Sequence, residues 1–116
     1  PSAIGAYSQA VKLDNTIYLS GQIPLTPEKM EIVSEDIEIQ IKQVFVNLSH
    51  VLNASGSSLN KILKLNVYLI DLSHFSLVNK HMESIFEKPY PARAAIGINK
   101  LPKDALIEID AIATTK

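Results

Sequence analysis

Two stretches near the end of the chain, Pro91–Ile98 and Ala105–Ala113, alternate with a period of two between faces of different character. That period belongs to half-buried strands, because only an extended backbone sends successive side chains to opposite sides. In the first stretch Ala94, Ile96 and Ile98 share one face, and Arg93, Ala95 and Gly97 share the other. In the second, Ile107, Ile109 and Ala111 oppose Glu108 and Asp110. The Asn99–Asp104 link is short, so the spacing predicts an antiparallel hairpin. With Ile98 opposite Ala105, Arg93 would face Asp110 and Ala95 would face Glu108; a register shifted by two would set Glu108 opposite Arg93. Directly opposed Cβ atoms stand about 4.5–5.5 Å apart. Either pairing predicts one sheet face that carries a guanidinium beside carboxylates, with Ala95 and Gly97 leaving room around them.

Arg93 is the single arginine among the 11 Lys and Arg residues. A lone Arg in a lysine-using chain points to a task that an ammonium does poorly, such as planar, two-pronged binding of a carboxylate. A cross-strand ion pair with Asp110 or Glu108 accounts for the same pattern.

The rest of the chain sets the frame. Its 116 residues make room for one domain, 1–116, and a 47% apolar content suffices for a core. A net charge of −1 with scattered lysines lacks the basic, aromatic-interleaved footprint of a nucleic-acid binder. With no cysteine there is no disulfide, thiol nucleophile or thiolate metal site. No apolar run reaches the 18 or so residues of a membrane span, and no basic-then-apolar leader is visible, which favours the cytosol. The chain opens at Pro1, as a processed or trimmed chain would.

Residues 1–9 read as an irregular lead-in with a turn at Gly5, and Tyr7 there is either a packed aromatic or a pocket phenol. Ala10–Leu13 and Thr16–Ser20 form a hairpin around Asp14-Asn15. Gly21, just after it, suggests a bulge or a close approach to the backbone. Ser34 is placed to cap a helix whose apolar stripe is Ile37, Ile41, Val44, Phe45, Leu48, Val51 and Leu52, closed by Gly56. A central strand follows from about Lys61 to Ile70. Asp71 or Ser73 then caps a second helix carrying Phe75, Val78, Met82, Ile85 and Phe86, with Pro89 as its stop. His50, His74 and His81 lack metal-site spacing and read as surface residues. The predicted order is ββαβαββ, a two-layer α+β domain with both helices on one sheet face. The other face, with Leu106 and Ile112 beside charged residues, suits burial against other subunits.

The sequence resembles the RidA/YjgF family of reactive-intermediate deaminases, also described as endoribonuclease L-PSP-like. The resemblance is carried by Ile4-Gly5-Ala6-Tyr7-Ser8-Gln9-Ala10, Ser20-Gly21-Gln22-Ile23-Pro24, Asp71-Leu72 with Phe75, Pro91-Ala92-Arg93, and Leu101-Pro102-Lys103-Asp104 leading into Ile107-Glu108-Ile109. It implies a chorismate-mutase-like fold, a homotrimer with clefts between subunits, and no cofactor or metal. The implied activity is hydrolysis of 2-iminobutanoate and 2-iminopropanoate, released by pyridoxal-phosphate dehydratases, to 2-oxo acids and ammonia. In that scheme Arg93 holds the substrate carboxylate and Glu108 handles protons for the attacking water. Tyr7, Ser20, Gly21 and Phe75 line the cleft, and the backbone at Ala95 adds a hydrogen bond. The chain departs from the family pattern in three places. Ala95 stands where many bacterial members have cysteine, the N-terminal segment is shorter, and the Glu87–Tyr90 loop is compact. Two other readings fit the same scaffold: a non-catalytic trimer that senses small carboxylates, and an RNA-directed translation inhibitor, against which the near-zero charge argues.

Overall fold

The computed structural model describes residues 1–116. The chain runs β1 (Ala10–Leu13), β2 (Thr16–Gln22), α1 (Ile37–Ala54), β3 (Ile62–Leu69), α2 (Phe75–Ile85), β4 (Ala92–Gly97) and β5 (Ile107–Thr114), with 3-10 turns at Leu59–Lys61, Leu72–His74 and Pro102–Asp104. The ββαβαββ order and the α+β class agree with the sequence pattern. No helix is long and apolar enough to cross a membrane.

Local chemistry sets the element ends. Asp14 takes the left-handed conformation (φ 54°) that the tight β1–β2 turn requires. At the start of α1, Ser34 Oγ accepts from the Asp36 N–H, and the Asp36 carboxylate accepts from the Glu38 N–H. Asp36 is therefore the N-cap, two residues beyond Ser34, and the two side chains hand the chain into the helix. Gly56, at φ +81°, is the left-handed residue just past the Ser55 cap. Asp71 caps the turn that leads into α2, accepting from the Ser73 N–H at 3.0 Å.

The strand order is β1-β2-β5-β3-β4, which overturns the predicted β4–β5 hairpin. β4 lies at an edge, parallel to β3, with Arg93 beside Leu65 and Ala95 beside Val67. β5 runs antiparallel between β2 and β3, with Asp110 beside Asn66 and Glu108 beside Tyr68. The reason is local: β3, α2 and β4 form one strand–helix–strand unit that docks its second strand alongside the first. The Ile98–Leu106 link then carries the chain across β3 to its other side.

Ile17, Leu19, Leu65, Val67, Leu69, Ile107, Ile109 and Ala111 point toward α1 and α2 and fill the core with Ile41, Val44, Phe45, Leu48, Val78 and Met82. The opposite face carries Tyr18, Asn66, Tyr68, Glu108, Asp110 and Ile112, bounded at β4 by Ile96, and no helix covers it. Tyr18 is 49% exposed and Ile96 48% exposed.

Two buried amides tie helix to sheet. Asn47 donates to the carbonyls of Ile23 and Leu25. Gln40, 1% exposed, donates to Ser34 O at 2.8 Å and accepts from the Leu106 N–H at 2.9 Å. Gln40→Leu leaves a main-chain donor and an acceptor unpaired and should lower unfolding stability by about 2 kcal/mol. Denaturant unfolding checks this, and a midpoint equal to the wild type contradicts it.

Candidate active site

The expected site residues fall into two groups on opposite faces of the sheet. Arg93 points to the helix side. Its Nη1 donates to Asn79 Oδ1 and lies 3.5 Å from Met82 Sδ. Its guanidinium carbon stands 4.5 Å from the centre of the Phe75 ring, in cation–π range. Phe75, Asn79 and Met82 all belong to α2, so one helix face holds the arginine from three sides. Nε and Nη2 bond nothing within the chain, which leaves one edge of the guanidinium fork open. Ala95 follows on the same strand face. The Ile98 N–H donates to Leu69 O across the β3–β4 pair at 2.9 Å. Strand alternation then turns the N–H groups of Arg93, Ala95 and Gly97 out to the free edge. A free Ala95 N–H beside an open guanidinium edge is a fit place for a carboxylate.

Glu108 lies on the other face. β5 puts Ile107 and Ile109 into the core, so Glu108 must point away from it. The expectation that Arg93 and Glu108 share a face is therefore wrong within one chain, and so is the pairing of Ala95 with Glu108. Asp110 is not free to meet Arg93 either. Asn66 Nδ2 donates to its Oδ1 and the Tyr68 hydroxyl to its Oδ2, both at 2.8 Å. That hydrogen bond to Asp110, together with burial, makes Tyr68 hold its proton more tightly.

Glu108 sits in a cleft of about 220 Å³ lined by Tyr7, Gln9, Gly21, Ile23 and Pro102. Its carboxylate lies flat against Gly21: a Cβ built there would stand 2.5 Å from Oε2 and 2.8 Å from Cδ. The ladder between β2 and β5 slips in register between Leu19 and Gln22, so both halves of the Gly21 reading hold, the bulge and the close approach. Burial pushes the Glu108 carboxyl above its ordinary value, and the neighbouring Asp110 charge pushes the same way. Tyr7 is a cleft phenol rather than a packed aromatic: it is 46% exposed, and its hydroxyl accepts from the Ile4 N–H. Ser20 faces the lead-in, its Oγ donating to Ser8 O at 2.6 Å.

Sequence reasoning missed Asn79. The signal was there, since Asn79 is four residues after Phe75 and three before Met82, a polar residue beside an apolar helical stripe. Of the histidines, His50 is exposed. His81 is instead half-buried, its ring 5.1 Å from that of Phe45, where burial lowers its affinity for a proton.

The family model described as Endoribonuclease L-PSP matches residues 1–115. A RutC family protein of Pyrococcus abyssi is 47% identical over 113 residues, covering 97% of this chain and 89% of the relative. The human protein named 2-iminobutanoate/2-iminopropanoate deaminase is 42% identical, covering 97% of this chain and 82% of the relative. A crystal structure of RidA from an Antarctic Psychrobacter superposes with a TM-score of 0.94 at 46% identity, covering 98% of this chain and 92% of that one. The chain belongs to the RidA/YjgF family.

The Gly21 contact is directly testable. Gly21→Ala should leave the fold intact, because the flexible end of Glu108 can swing aside, yet it must displace that carboxyl from its seat. A changed carboxyl-carbon NMR titration of Glu108 is the expected result; an unchanged one means the carboxyl does not rest on Gly21.

Proposed function

We propose that the protein is a 2-imino acid deaminase that hydrolyses 2-iminobutanoate and 2-iminopropanoate, and that its site is completed by a second copy of the chain. One observation carries the reading. Arg93 and Glu108 are each prepared for chemistry, yet they stand on opposite faces of one sheet, and a 2-imino acid needs both. The uncovered face, where tyrosines and isoleucines alternate with carboxylates, is the surface on which copies would pack. A homotrimer with a cleft at each of its interfaces satisfies both needs. The human relative's name points to the same substrates.

The chemistry asks little of the protein. A protonated 2-imino acid is already electrophilic at the imine carbon, so no cofactor or metal has to activate it. The free edge of Arg93 and the Ala95 N–H grip its carboxylate and fix that carbon. Glu108 of the adjoining copy takes a proton from water as the oxygen bonds to the imine carbon and the C=N electrons move to nitrogen. The proton then passes to nitrogen, which leaves as ammonia while the hydroxyl loses its proton and becomes the 2-oxo group. Only ionised Glu108 can accept the proton, so the rate should fall as pH drops through its titration. Burial sets that limb above the position of an exposed glutamate, and a second copy's Arg93 brought near draws it back down.

The reactants arise where pyridoxal-phosphate dehydratases act on threonine and serine, and the proposed compartment is the cytoplasm. A threonine dehydratase assay with semicarbazide as trap tests the activity. Wild-type protein should speed release of 2-oxobutanoate. Arg93→Lys keeps the charge but loses the fork, and should lower kcat/KM by roughly tenfold or more. Ligand binding without turnover by the wild type would instead make this chain a carboxylate sensor.

A composite site makes a sharper prediction. Arg93→Ala and Glu108→Gln should each be inactive alone. Unfolded together and refolded as mixed assemblies, they should regain about a quarter of the wild-type rate, because one interface in four pairs an intact Arg93 with an intact Glu108. No recovery in mixed trimers would place both residues in one subunit's site and sink the proposal, as would sedimentation as a stable monomer.

A further inference from the structure

Behind the Gly21 seat stands a buried side chain to which the reaction assigns no part. Gln22 is 4% exposed. Its Nε2 donates twice, to Gln9 Oε1 at 2.8 Å and to the Ser20 carbonyl at 3.2 Å. Gln9 in turn donates through its own Nε2 to the Pro1 carbonyl at 2.8 Å. The register slip between Leu19 and Gln22 takes Ser20 and Gly21 out of the β2–β5 ladder. Their main chain must be satisfied in some other way. The Ser20 N–H donates to Gln9 O at 2.9 Å, Ser20 Oγ donates to Ser8 O, and Gln22 closes the remaining Ser20 carbonyl. The segment that carries Tyr7 into the Glu108 cleft is thus tied down by a relay of side chains rather than by a strand.

We infer that Gln22 is a positioning residue for Glu108: through Ser20 it sets the bulge under the carboxyl, and through Gln9 it holds the Tyr7 segment over the same cleft. Gln22 borders the same cleft, and its side-chain nitrogen bonds only Gln9 and Ser20. Both protons of one amide nitrogen are in use, which a carboxylate or a hydrocarbon of the same length cannot reproduce. The kinetic part of the inference rests on the deaminase reading; the structural part does not.

The test compares Gln22→Met and Gln9→Glu with the wild type, each as the assembled protein. In Gln22→Met, amide exchange over residues 4–9 and 20–22 should accelerate, and kcat should fall by about tenfold or more with KM changed less than about twofold, since Arg93 grips the substrate from another strand. The acid limb of kcat should also move to lower pH, because water admitted to the cleft eases the burial of Glu108. The other titrating groups around that carboxyl, Asp110, Tyr68, Tyr7 and Lys103, are left in place. A purely structural role would lower the melting temperature without moving the limb. Gln9→Glu keeps an acceptor for Gln22, loses the donor to Pro1 and adds a carboxylate beside the cleft. It is therefore read by exchange alone, which should quicken in the lead-in while the bulge stays protected. If Gln22→Met does not fold, Gln9→Glu decides alone, and wild-type exchange in its lead-in overturns the relay. A folded Gln22→Met with wild-type exchange and an unmoved limb overturns the inference outright. A wild type without imine turnover refutes the deaminase reading instead; exchange and the Glu108 carboxyl titration then still decide on Gln22.

Discussion

The structure depends on β5. It is held between β2 and β3, and one of its faces delivers Ile107, Ile109, Ala111 and Ala113 to the core. A slip of one residue would exchange these for Glu108, Asp110 and Ile112 and put two carboxylates among aliphatic side chains. Core packing therefore fixes the direction in which Glu108 points, far more firmly than any polar contact of its own. Leu106, whose N–H is held by Gln40, sets the strand's starting point. Glu108 thus sits at a defined depth, half-buried, with Gly21 beneath it. Its pKa rises because burial disfavours the charged carboxylate, and the neighbouring Asp110 charge adds to the rise.

The cluster around Arg93 is built by different means. Parallel pairing with β3 sets β4 at the sheet edge and turns Arg93 toward α2. There Asn79, Met82 and Phe75 take one nitrogen and one face of the guanidinium and leave its outer edge open. Asn79 is neutral, so it orients the arginine without cancelling its charge. A glutamate at that position would form an ion pair and compete with an arriving carboxylate.

Element identity was written plainly in the sequence, whereas strand pairing was not. Helical spacing, Gly56 and the Asp14 turn are signals between near neighbours, and each fell where the pattern placed it, while the cap of α1 moved from Ser34 to Asp36. The bulge at Gly21 was legible for the same reason. A period of two, however, reports only which residues of one strand share a face. It carries no information about which strand lies alongside, and the hairpin that would have joined Arg93 to Asp110 was the shortest of several closures. The β3–α2–β4 crossover displaced it because α2 must lie on the sheet to bury Val78 and Met82. Asn79 and Gln22 were hidden for another reason: their roles are set by contacts 14 and 13 residues away along the chain.

Separation of Arg93 from Glu108 within one chain has an electrostatic consequence. Two opposite charges about 4 Å apart at a protein surface attract by roughly 4 kcal/mol. Were the two side chains direct cross-strand neighbours, that attraction would close them on each other, occupy the open guanidinium edge and pull the carboxyl down to the ordinary range or below. A substrate carboxylate would then have to break an existing pair, and the carboxylate left behind would be a weaker base. Holding the arginine on one face and the glutamate on the other keeps the two charges from pairing within one chain, as the proposed composite site would require. In the proposed assembly the distance between them would be set by how copies pack, and the small side chains of β4 would leave space for a ligand of a few atoms. On that proposal, affinity for the carboxylate and basicity toward water would become properties of the interface, adjusted by residues that touch neither group.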